Sequence, residues 1–122
     1  MPVNYRFDST IIAIQATGEY SIEDLRAAII NSMKDPHHRD NFSLLIDLTN
    51  SLSIFKRSLE EIKTMAHFVA SLADHYNRRI ALVGNKDLTY GMMRMSTAGS
   101  EEIGITSEVF RTHAEARSWL LL

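Results

Sequence analysis

The chain has 122 residues, 13 basic and 15 acidic, for a formal charge of −2, and it contains no cysteine. That length suits one domain, here residues 1–122, because domains cluster near ~100–150 residues. The missing cysteines exclude disulfides, thiolate catalysis and cysteine-based zinc or iron–sulfur sites, and the balanced charge argues against a nucleic-acid partner.

From Met1 to Tyr20 no basic segment precedes an apolar run, and nowhere does the chain approach the ~18 apolar residues of a membrane span. A cytoplasmic protein without a membrane span is therefore expected. Tyr5 and Phe7 alternate with polar neighbours, and Thr10 to Thr17 is rich in β-branched residues with Ile12, Ile14 and Ala16 on one face, so an opening hairpin is predicted. Ser21 with acids in the following turn, then Ile22, Leu25, Ile29 and Met33 at helical spacing, predict a helix over about Ile22 to Lys34 that Pro36 ends.

Phe42 to Asp47 is a short apolar run of the kind buried on both faces of a sheet. Ser58 opens the clearest helical stripe, through Leu59, Ile62, Met65, Ala66, Val69, Leu72, Ala73 and Tyr76, and Arg79 to Val83 reads as another buried strand. Asn85 or Asp87 can cap a further helix with Leu88, Met92 and Met95 inward, its exit bracketed by Gly99 and Gly104. Ser107 to Arg111 makes a last strand, and Thr112 to Glu115 is a capping box opening a helix through Ala116, Trp119 and Leu120. The order ββαβαβαβα predicts an α/β fold with a single mixed sheet of about five strands, a hairpin followed by parallel strands, and about four helices.

This order, with Leu44-Leu45-Ile46-Asp47-Leu48 and Tyr90-Gly91-Met92-Met93-Arg94-Met95, resembles the SpoIIAA-like branch of the STAS domains. That bacterial group is related in fold to anti-anti-sigma factors and is also grouped with SEC14-type lipid-binding domains. In anti-anti-sigma factors an Asp-Ser-Ser/Thr-Gly type motif follows the strand equivalent to Leu44–Asp47, and its hydroxyl is phosphorylated. Ser58 stands near that place, but Arg57 and Leu59 replace the motif's Asp and Gly.

In open α/β sheets the ligand crevice lies beyond the carboxyl ends of the strands. The stretches Leu48 to Arg57 and Gly84 to Asp87 fit that description, so Lys56, Arg57, Ser58, Asn85 and Lys86 are candidate ligands for a small anion, with Ser58 also a candidate phosphorylation site. Ser58 and Glu61 equally make a complete capping box, and Asp47 serves either a ligand or the backbone of its own loop. Tyr90, Met93 and Arg94 lie at the margin of their predicted helix, where a subunit contact or an apolar ligand could sit. His37, His38, His67, His75 and His113 have no metal-ligand spacing, and no nucleophile elbow or triad signature is present. No cofactor or metal is implied. The expectation is a non-enzymatic regulatory or binding module acting through a protein partner or a bound small anion, with a homodimer among its arrangements; the alternative is a carrier of an apolar or lipid-like ligand.

Overall fold

The structure, a computed structural model, describes residues 2–53, 57–87, 90–91, 93–94 and 103–122, apart from the side chain of Leu59. β1 (Val3–Asp8) and β2 (Ile11–Ala16) pair antiparallel with Asp8 opposite Ile11, so the hairpin closes on Ser9 and Thr10. Ser9 takes φ +54°, a left-handed backbone of the kind that lets a two-residue turn follow the twist of its strands. β3 (Ser43–Asp47), β4 (Arg79–Val83) and β5 (Thr106–Phe110) then add in parallel, giving the order β1-β2-β3-β4-β5. The expected neighbours β3 and β4 are parallel partners, and all five residues of β3 are buried.

Each parallel strand lies beside its predecessor on the same side, so right-handed crossovers carry every connecting helix to one face of the sheet. α1 (Ile22–Lys34) and α2 (Leu59–Ser71) pack there against Ile12, Ile14, Leu44, Ile46 and Ile80. α3 (His113–Leu120) follows β5 without a further strand and turns back over the other face, where Ala116 and Leu120 cover Ile11, Leu45, Ala81 and Val83.

α1 has the bounds its sequence predicts, because Ser21 accepts the Asp24 amide and the Asp24 carboxylate accepts the Ser21 amide. α2 stops five residues before the end of its apolar stripe: a 3-10 turn, Ala73–His75, intervenes, and buried Tyr76 folds back to donate its hydroxyl to the Val69 carbonyl at 3.1 Å. At α3 the Thr112 hydroxyl accepts the Glu115 amide but donates to the Glu115 carboxylate at 2.9 Å, so both halves of the expected box converge on the hydroxyl. Among the described residues three α-helices have defined bounds against about four expected. Asp87, Tyr90, Gly91, Met93 and Arg94 are helical where the fourth was predicted; Leu88, Met92, Met95 and Gly99 lie outside the described residues.

Two carboxylates tie helices to β1. Asp8 accepts Nε and a second nitrogen of Arg117 at 2.7 and 3.2 Å, tying α3 to β1, and the Arg117 bond holds the Asp8 carboxyl below its ordinary range. Asp35 is likewise held low, first by the His37 amide and then by the Tyr5 hydroxyl. A carboxyl with a lowered folded-state pKa contributes stability that is fully present above the unfolded value and is lost as pH falls through the folded one. Asp8→Asn should lower stability at neutral pH and flatten the acid limb of the profile, as read by urea unfolding at steps from about pH 7 to about pH 3.

Candidate functional site

α2 stands away from the sheet. Of its described side chains only Ile62 is buried, whereas α1 buries Leu25, Ala28, Ile29 and Ser32. The gap is a cavity of about 120 Å³, floored by Ile46, Ile80, Leu82 and Ile105, roofed by Ile62, Met65, Ala66 and Val69, and flanked by Leu25 and Met93. Its lining is aliphatic save for Tyr20, Arg57, Glu61 and Ser107.

The β3–α2 loop is anchored on Tyr20. The Tyr20 amide donates to Ser53 Oγ at 2.8 Å, the Ser53 hydroxyl returns a bond to the Tyr20 carbonyl, and the phenol shares a 2.8 Å hydrogen bond with Ser51. Ser51 and Ser53 are both buried, and burial pushes the Tyr20 phenol above its ordinary pKa. Gly18, at φ +67°, donates its amide to Asn50 and accepts that of Leu52, which lays the loop against the end of β2.

Arg57 completes the anchor. One guanidinium nitrogen donates to the Tyr20 carbonyl at 2.6 Å, the guanidinium carbon lies 5.4 Å from the Tyr20 ring centre, and another nitrogen is 3.6 Å from Glu61. Only 15% of the Arg57 side chain is exposed. Ser58 accepts the Glu61 amide while the Glu61 carboxylate accepts the Ser58 amide, which holds that carboxyl below its ordinary range. Arg57 and Ser58 therefore fix the entry of α2, and Lys56 lies outside the described residues.

Asn85 and Lys86 are exposed and leave the same edge of the sheet, since Leu48 after β3 donates its amide to Val83 at the end of β4. The described contacts of Asn85 run to Arg111, which also pairs with Asp87 at 2.8 Å and stacks over Tyr90 at 4.4 Å. Thus Asn85 and Tyr90 gather on Arg111, while Arg57 and Ser58 gather on Tyr20 and Glu61. Arg94 is exposed, but Met93, expected at the helix margin, is 1% exposed and lines the cavity. Met93 therefore turns toward the sheet rather than lying at the helix margin.

Asp47 accepts the Thr49 amide at 2.9 Å, one of the two roles its position allowed, and its other oxygen accepts Nδ1–H of His113 at 3.1 Å. Among the described residues no group of three or more His, Asp or Glu side chains could hold a metal ion, and no helix is long and apolar enough to cross a membrane.

The family model described as SpoIIAA-like matches residues 11–121, which takes in β2 through α3. The chain belongs to the SpoIIAA-like family. Its fold is similar to that of an uncharacterised protein from the DUF3478 family with a SpoIIAA-like fold from Shewanella loihica PV-4, at a TM-score of 0.61 and 17% identity over 97% of this chain and 91% of that one. No curated protein matches the sequence. Membership places the chain among regulatory STAS-type modules in general.

Within this SpoIIAA-like domain the residues that sequence reasoning missed are Tyr20, Ser51 and Ser53. Their contacts join positions 31 and 33 apart in the chain, which no local pattern encodes. Ser58→Ala should lower stability by about 1 kcal/mol in urea unfolding, the usual loss for an N-cap, whereas Ser58→Asp, which keeps an acceptor, should lose far less.

Proposed function

We infer that this SpoIIAA-like domain is a non-enzymatic binding module that takes an apolar or lipid-like ligand between α2 and the sheet. The observation that carries this reading is the 120 Å³ aliphatic cavity under a helix that buries one described side chain of its own. The aliphatic lining left uncovered beneath α2 is apolar surface that a guest would remove from water, and that burial is the driving force for binding. Water against such a lining finds few polar partners, so an apolar guest displaces it readily.

The polar groups near the cavity leave little scope for catalysis. Arg57, Glu61 and Tyr20 already bond to one another or to backbone, so they are suited to closing the cavity over a guest rather than to proton transfer. SpoIIAA-like domains in general act through protein partners. A guest that reseats α2 would change the surface offered to such a partner, which joins ligand occupancy to regulation.

Native mass spectrometry of freshly purified protein should find an apolar adduct at one per chain, or uptake of a supplied fluorescent fatty acid. Ala66→Phe, which fills the cavity from α2, should abolish uptake while melting at the same or a higher temperature. Neither adduct nor uptake by the unaltered chain would leave the cavity without a ligand and overturn the reading.

A further inference from the structure

Among the described residues, the second face of the sheet is covered by α3, which packs over β3 and β4 and leaves Asn4, Arg6 and Gln15 exposed. α3 covers β3 and β4 with Ala116 and Leu120 and is tied down by two polar bridges: His113 to Asp47 at 3.1 Å near its start, and Arg117 to Asp8 at 2.7 Å one turn on. Beside these bridges lies a cleft of about 190 Å³ lined by Asn4, Arg6, Ala13, Gln15, Asp47 and His113.

Strand register builds this cleft. Asn4 lies opposite Gln15 and Gln15 opposite Asp47, so the three side chains form one row across β1, β2 and β3, spanning about 10 Å at the ordinary strand spacing. The neighbouring row is Arg6, Ala13 and Leu45, and the buried methyl of Ala13 makes the depression at its centre. Polar side chains on an uncovered sheet face are ordinary in themselves. Here, however, the one carboxylate that lines the cleft, Asp47, is already bonded to His113 of α3 and to the Thr49 amide, and Asn4, Arg6 and Gln15 make no side-chain hydrogen bond or ion pair among the described residues. The Arg6 charge is felt at Asp8, but Asp8 points its oxygens at Arg117.

We propose that this cleft binds a small molecule carrying an oxyanion, carboxylate or phosphate, next to a hydroxyl group. The guanidinium of Arg6 supplies the paired donors that such an anion accepts, and the amides of Asn4 and Gln15 add donors on either side. His113 donates Nδ1–H to Asp47, so in the neutral ring Nε2 carries the lone pair and accepts the ligand hydroxyl. The site is on the opposite face of the sheet from the aliphatic cavity, and neither depends on the other.

The experiment is an NMR titration of the whole ¹⁵N-labelled chain with inorganic phosphate, lactate and acetate, reading the side-chain amides of Asn4 and Gln15 together with the backbone. Saturable shifts confined to the cleft are expected, with phosphate or lactate as the better ligand identifying the anion. Arg6→Gln, at an exposed position that makes no side-chain hydrogen bond among the described residues, should weaken binding by about tenfold or more while the chain still melts cooperatively with at most a small shift, since only the long-range pull on Asp8 is lost. Gln15→Leu should weaken it as a second variant. His113→Gln should remove the preference for lactate over acetate. Shifts that never saturate, shifts centred elsewhere, or an Arg6→Gln chain that binds as the unaltered one does would overturn the proposal. Equal binding of acetate and lactate by the unaltered chain would overturn the role given to His113.

Discussion

The right-handedness of parallel crossovers, applied to strands that add to the sheet in chain order, governs this molecule. Since β2, β3, β4 and β5 are added in one direction, each crossover deposits its helix on the same face. That face holds α1, α2 and the described helical residues Asp87, Tyr90, Gly91, Met93 and Arg94, while among the described residues α3 covers the other. The crowded face has room for an aliphatic gap beneath α2. The sparse face leaves a polar cleft beside α3.

The crowded face is organised by one side chain. Tyr20 follows β2 and, through its backbone, its phenol and its ring, meets Ser51, Ser53 and Arg57 of the loop after β3. A loop so tied sets where Ser58 starts α2, and hence how far α2 stands above Ile46 and Ile80. Arg57 is used three times over, on a carbonyl, a ring and a carboxylate, and its charge is satisfied within the chain. The same arrangement that makes an anion site there harder to fill gives the aliphatic cavity a firm rim.

On the sparse face the bridges from α3 do comparable work. Ala116 and Leu120 supply apolar burial, but a helix of eight residues covers little area, so its orientation rests also on His113 with Asp47 and Arg117 with Asp8. Arg79 adds a third tie, its guanidinium 4.4 Å from the Trp119 ring centre and bonded to the Trp119 carbonyl. Each links residues far apart in the chain.

The elements were legible in the sequence because their causes are local. Ser21 and Ser58 announce their helices by caps within one turn, the run from Ser43 to Asp47 has the unbroken apolarity of a doubly buried strand, and Tyr5 and Phe7 alternate as hairpin residues do. Chain order and crossover handedness then fixed the sheet. What the sequence could not disclose were side-chain meetings across tens of residues: Tyr20 with Ser51 and Ser53, Asp47 with His113, and the row of Asn4, Gln15 and Asp47. The burial of Met93 and the end of α2 before Tyr76 also escaped it, because packing against the sheet overrides a periodic stripe. Local propensity acts over a single turn or strand and is written in adjacent residues. A site is made where distant strands come into register, and only the folded sheet brings them there.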